Sequence, residues 1–190
     1  MNMYHLASFF TRSRRFLLLG LILVLAVSAA ASDLPAGLEI GGEAPSFFLR
    51  DLDNQNFFLS RAIKEKQPIV LSFFATWCVP CRAEIPALEA KLKDPRHADL
   101  TVIYVHVGEP KVKQADPAGE GSVQMIRQMQ AELGMTRTIL YDRYGVAAEK
   151  YGATSLPCTV VIAPDGTLAY HHTGYKDGDI ETLFQVLAEL

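Results

Sequence analysis

Apolar and polar positions fall into blocks along this chain, and most blocks have the length of one structural element. "PIVLSFFAT", residues 68–76, is a continuous apolar run of strand length, as a strand buried on both faces shows. "LTVIYVHV", residues 100–107, reads as the next strand. Between them Ile85, Leu88 and Leu92 recur at i, i+3 and i+7, which predicts a helix from about Val79 to Lys93 with Pro80 suited to its first turn. Pro86 falls inside that helix. Without an N–H it cannot bond the carbonyl of Arg82, so a kink is expected there. Strand, helix and strand in succession imply a parallel pair joined by a right-handed crossover.

The flanking blocks extend the pattern. "SFFLRDLDNQNFFLS" sets two short apolar runs around Asp53, Asn54, Gln55 and Asn56, a hairpin signal with turn-forming side chains. "GEPKVKQADPAGEG" reads as a polar loop. Ser122 is then placed to cap a helix that buries Val123, Ile126, Met129 and Leu133, its methionines serving as core filling. "TVVIA" and "LAYHHT" flank Pro164, Asp165 and Gly166, a strong hairpin turn. A last helix starts near Asp177 or Asp179 and buries Ile180, Leu183, Phe184, Leu187 and Leu190. The order is hairpin, strand, helix, strand, helix, hairpin, helix, which predicts an α/β domain with a central mixed sheet, helices on both faces and an added N-terminal β-hairpin.

The first residues do not fit that pattern. Residues 1–31 hold Arg12, Arg14 and Arg15 with no acid, followed by "FLLLGLILVLAVSAAA" from Phe16 to Ala31. That is a basic n-region and an apolar h-region, expected to act as an export signal by the general secretory route. Ala29, Ala30 and Ala31 offer a cleavage site, and the apolar run comes close to the ~17 residues of a tilted span, so a cleaved signal and a membrane anchor both stay open. Residues 32–43 are small, polar and glycine-rich, as a linker is, and the ordered domain is expected over 44–190.

Charge narrows the partners. The whole chain carries 18 basic and 21 acidic side chains. Without residues 1–31 the balance is 15 against 21, or −6, which speaks against nucleic acid as a partner. Three cysteines cannot all pair within one exported domain, so at least one thiol is left with another role. Export also brings a CxxC pair into an oxidising compartment.

That pair is Cys78 and Cys81 in "FFATWCVPCRAEIP". Structural zinc uses the same spacing but needs four ligands, and the chain has no second CxxC and no spaced histidine pair. His171 and His172 are adjacent on a predicted strand, where neighbours point to opposite faces. A redox pair fits the position better, because the cysteines fall where a buried strand ends and a helix begins. Unpaired N–H groups and the positive end of the helix dipole favour a thiolate there, and such placement lowers a cysteine pKa from about 8.5 to roughly 3.5–7.5. Cys78 is then the attacking thiol, and Cys81, one turn further in, the covered thiol that resolves a mixed disulfide.

"FFATWCVPCRAEIPAL" resembles the active-site segment of the thioredoxin-like proteins, and more closely the TlpA/ResA group of exported thiol–disulfide oxidoreductases. "GGEAPSFFLRDLDNQNFFLS" is similar to that group's N-terminal hairpin, and "ATSLPCTVVIAPDG" to its strand carrying a cis-proline. The resemblance spans about residues 43–190. It implies a thioredoxin-like fold, with Pro157 as the cis-proline facing the disulfide and Trp77, Val79, Pro80 and Leu156 flanking the centre. Thioredoxins carry a buried aspartate six residues before the first cysteine, where this chain has Ser72. Glu84 matches a carboxylate that ResA-like members keep near the site, and lies on the same helical face as Cys81, suited to shuttle its proton. Cys158 stands where the group most often has threonine and is expected to point to the opposite face of its strand, as a buried inert thiol.

The resemblance further implies reduction of disulfides in client proteins, for example in cytochrome c maturation, with a membrane-bound thiol donor as reductant. The expected location is the periplasm or the outer face of the cytoplasmic membrane. No cofactor and no metal is called for. A thiol peroxidase is disfavoured, because the threonine expected three residues before a peroxidatic cysteine is Ala75. The alternative of another class is a copper-delivery protein using Cys78, Cys81 and a histidine such as His171.

Overall fold

A computed structural model of the protein describes residues 34–35, 37–97, 100–108 and 119–190. The expected export segment, residues 1–31, lies outside them. No helix among the described residues is long and apolar enough to cross a membrane.

Seven strands among those residues form one mixed sheet. The run expected to be doubly buried is β3 (Ile69–Phe74), buried at every position. It pairs in parallel with β4 (Thr101–Val107) and antiparallel with β6 (Cys158–Ile162). β4 pairs in parallel with β5 (Thr138–Asp142). Hairpins close both edges: β1 (Phe48–Asp51) with β2 (Asn56–Phe58), and β6 with β7 (Leu168–Thr173). The spatial order is β2-β1-β5-β4-β3-β6-β7. The first turn is held by the Asp51 carboxylate, which accepts the amides of Asp53 and Gln55 at 2.9 and 2.8 Å. In the second, Gly166 takes a φ of 92°, a conformation glycine enters without a Cβ penalty.

The α-helices among the described residues are α1 (Leu59–Ala62), α2 (Cys81–Leu92), α3 (Glu120–Leu133), α4 (Val146–Lys150) and α5 (Asp179–Ala188). Alternation along β3 divides the apolar side chains into two cores. Val70 and Phe74 pack with Ile85 and Leu88 of α2, Ile126 and Met129 of α3, and Ile180 and Leu183 of α5. Leu71 and Phe73 face the other way, onto Leu38, Leu59, Ala147 and Tyr151.

Several elements depart from the sequence expectation. α2 starts at Cys81, two residues later than expected, with Pro80 as its cap. Gly119, at φ 80°, precedes α3, so Ser122 is not the cap but a buried residue of the first turn. β5 and α4 were not foreseen, because a five-residue strand ending in polar residues and a five-residue helix carry too little periodicity to register. Residues 37–43, read as linker, pack on the domain: Leu38 joins the core, and the Gly41 amide bonds the Leu168 carbonyl at 2.7 Å. Leu190 lies past the end of α5 and is exposed.

Candidate active site

The end of β3 leads straight into the CxxC segment. The Cys78 amide turns back onto the Ala75 carbonyl at 3.1 Å, and the Ala83 and Glu84 amides both reach the Pro80 carbonyl, which starts α2. Cys78 and Cys81 form a disulfide with Cα atoms 5.4 Å apart. The Cys81 amide, first of the helix, donates to Cys78 Sγ at 3.2 Å. An N–H aimed at that sulfur stabilises negative charge on it. Cys78 is 3% exposed and Cys81 not at all, whereas Trp77 and Val79 beside them are 56% and 76% exposed. The sulfurs thus sit at the rim of an apolar patch that includes the exposed Pro80 ring.

Pro157 follows a cis peptide bond from Leu156. The ladder from β3 to β6 ends at Phe73 opposite Cys158, which leaves Pro157 one step beyond, beside the chain entering the CxxC segment. Pro157 is buried and Leu156 half-buried between the two cores.

Glu84 is almost fully buried, at 4% exposure. The Thr159 hydroxyl donates to its Oε1 at 2.7 Å and the Ser72 hydroxyl to its Oε2 at 3.3 Å. Burial in low dielectric outweighs both bonds, and with the charge of Asp179 it pushes the carboxyl up from its ordinary 4.5 to about 7. A group titrating there, three residues from Cys81 on one helical face, can hold or release a proton at neutral pH.

A second buried carboxylate on the same helix is bound differently. Glu89 accepts the Tyr104 hydroxyl at 3.0 Å, the Thr136 amide at 2.9 Å and the Thr136 hydroxyl at 2.8 Å, fastening α2 to the approach to β5. On β4, His106 accepts the Thr76 amide on Nε2 at 3.3 Å, between the rings of Phe74 and Tyr141. Burial pushes its pKa down to about 4, so a neutral imidazole holds the loop two residues before Cys78.

Cys158 faces the other core, as expected from strand alternation. Burial, and then the charge of Glu84, push its thiol up to about 12. Its Sγ lies 3.5 Å from His171 Nε2, which bonds the Tyr151 carbonyl at 2.8 Å. His171 is thereby separated from Cys78 and Cys81 by the sheet, and His172 turns to Asp179 on the opposite face. The copper alternative loses its third ligand, and among the described residues no three side chains of suitable type are placed to hold a metal ion.

The structure brings Cys78, Cys81, Trp77, Val79 and Pro80 into one segment, with Pro157 and Leu156 beside the strand that feeds it and Glu84 beneath. Sequence reading missed Ser72 and Thr159 as partners of Glu84, and His106 as the loop anchor. Their signal is a polar residue inside an otherwise apolar buried strand, which must find a hydrogen-bond partner.

The family model described as AhpC/TSA matches residues 40–171. The thioredoxin-like protein YneN of Bacillus subtilis is 30% identical over 165 residues, which are 83% of this chain and 89% of that protein. The thiol–disulfide oxidoreductase ResA of Geobacillus thermodenitrificans is 25% identical over 170 residues, 86% of this chain and 90% of that protein. Among solved structures, a candidate DsbE-type thiol:disulfide interchange protein from Chlorobium tepidum superposes with a TM-score of 0.64 at 24% identity, covering 80% of this chain and 97% of that one.

Proposed function

We propose that in this chain, which belongs to the AhpC/TSA family and is a thioredoxin-like thiol–disulfide oxidoreductase, Cys78 and Cys81 reduce disulfides in exported client proteins. In the reduced protein the Cys78 thiolate attacks a client sulfur. One client thiolate leaves, and a mixed disulfide joins Cys78 to the client. Cys81 then gives its proton to the Glu84 carboxylate and attacks Cys78 Sγ. The second client thiolate departs with both electrons, and the Cys78–Cys81 disulfide remains. A membrane-bound dithiol donor restores the pair by the reverse exchange: the donor becomes a disulfide, its two electrons pass to Cys78 and Cys81, and Glu84 returns its proton to Cys81, which leaves Cys78 a thiolate.

The observation that carries this reading is the Cys81 amide directed at Cys78 Sγ at the first turn of α2. It favours Cys78 as the attacker, and the full burial of Cys81 suits the resolving role. Trp77 and Val79 offer an apolar surface for the client chain, with the Leu156–Pro157 segment alongside. Residues 1–31 direct export to the periplasm or hold the domain at the outer face of the cytoplasmic membrane, and 44–190 is the catalytic domain. The resemblance to the TlpA/ResA group points to the thiols of apocytochrome c as a client. The test is the Cys81→Ser variant incubated with oxidised apocytochrome c. A stable mixed disulfide through Cys78 is expected; no adduct, together with a redox potential as oxidising as about −120 mV, reverses the assigned direction.

A further inference from the structure

The polar groups under α2 form a line across the sheet. Ser72 on β3 stands opposite Thr159 on β6, and Thr159 stands opposite His172 on β7. Residues paired in this way project from one face. Ser72 and Thr159 bond Glu84, while His172 Nε2 lies 3.2 Å from Oδ2 of Asp179, the first residue of α5. The line therefore runs from a buried carboxyl to a histidine–carboxylate contact whose side chains are 33% and 13% exposed. Both partners are fixed in place. Tyr170 stacks on the imidazole with ring centroids 6.1 Å apart, and Asp179 also accepts the Lys176 amide at 2.8 Å.

We infer that the His172–Asp179 pair is a positioning device for the redox centre, which sets from the solvent end of this line the pH at which Glu84 releases and regains its proton. The inference rests on the proposed use of Glu84 as the proton store for Cys81. The titratable groups around Glu84 are few: Cys78, Cys81 and Glu89 on its own helix, Tyr104 on β4, Cys158 on β6, Tyr170 and His172 on β7, Tyr175 in the following turn, and Asp179 on α5. In the oxidised protein the first two do not titrate, and the phenols and the Cys158 thiol stay neutral at physiological pH. Asp179 is the acid whose charge reaches Glu84, and His172 is in contact with it. A bare Asp179 carboxylate makes a second negative charge at Glu84 costly. The His172 imidazole, 3.2 Å from that carboxylate, offsets part of its charge toward Glu84.

The test follows the Glu84 carboxyl carbon by NMR in the oxidised full chain, beside the pH profile of turnover, in Asp179→Asn and His172→Gln. Asparagine keeps an oxygen acceptor for the Lys176 amide. Asp179→Asn is expected to lower the Glu84 midpoint by about half a pH unit or more, and His172→Gln, at a separate strand position, to raise it. Shifts of opposite sign from two contacting residues do not arise from loosened packing. An unmoved or raised midpoint in Asp179→Asn overturns the inference, and so does a lowered one in His172→Gln. If the midpoints move as expected while the turnover profile stays put, the link stands and the role of Glu84 in the reaction is what fails.

Discussion

The two faces of the central sheet carry cysteines of opposite character. On one face Cys78 and Cys81 lie at a helix start, with an amide pointed at one sulfur and a titrating carboxyl one helical turn on. On the other, Cys158 is wholly buried among apolar side chains beside His171, and burial keeps its thiol protonated. The difference lies in the donors each backbone supplies. A helix start has N–H groups to spare, whereas a strand interior has spent its own on the ladder. The same contrast recurs within α2. Glu84 receives two hydroxyls and titrates near neutrality, and Glu89 receives two hydroxyls and an amide and acts as a clasp.

Deleting Cys78, the proposed attacking sulfur, should have the largest effect. Cys78→Ser is expected to reduce insulin or client disulfide reduction roughly a thousandfold or more, while Cys81→Ser still attacks and accumulates mixed disulfides, seen as a mass gain equal to the client. Equal adduct formation by both variants would dissolve the distinction between the two sulfurs.

Glu84→Gln should slow turnover about ten- to a hundredfold and flatten its pH dependence near pH 7. It also has a stability signature. A carboxyl raised from 4.5 to about 7 binds more protons folded than unfolded, so wild-type stability falls as pH rises through that window. Denaturant titrations of the oxidised protein should find Glu84→Gln close to wild type at pH 4.5 and more stable on the order of 2 kcal/mol at pH 8. A parallel pH dependence in the two proteins would return Glu84 to a merely structural role.

Glu89→Ala leaves the Tyr104 hydroxyl and both Thr136 donors without their acceptor and should cost about 3 kcal/mol in chemical denaturation. Its turnover profile should keep the wild-type pH midpoint, in contrast to Glu84→Gln. Cys158→Thr should have the smallest effect, with turnover within about twofold and stability within about 1 kcal/mol. Loss of turnover there, or a Cys158 bridge to Cys78 or Cys81 found by mass spectrometry after mild oxidation, would make the second face part of the redox chemistry.

What the sequence made legible follows from how local each signal is. The strand-to-helix junction at Cys78, the hairpin turns at Asp53 to Asn56 and at Asp165-Gly166, and the opposite facing of His171 and His172 are set by residues within a few positions. Glu84 stood out by its match to a carboxylate of the resembling group and by its spacing from Cys81, whereas its burial depended on Ser72 and Thr159, which are 12 and 75 positions away. Thr159 was absorbed into an apolar run, and Ser72 drew notice only as the position of the thioredoxin aspartate, although a hydroxyl in a doubly buried strand requires a partner. β5 was missed because its place beside β1 and β4 comes from tertiary pairing and not from its own pattern. Residues 37–43 looked like a linker by composition, yet one leucine, Leu38, is enough to draw them into the core.

The central claim, that the helix start makes Cys78 the reactive thiol of the three, is tested most directly by timed alkylation of the fully reduced protein across pH, with each cysteine followed by peptide mass spectrometry. Cys78 is expected to label first, with a midpoint below the 8.5 or so of a free thiol, while Cys81 lags and Cys158 labels only on unfolding. Faster labelling of Cys81 or Cys158 at neutral pH would contradict the account.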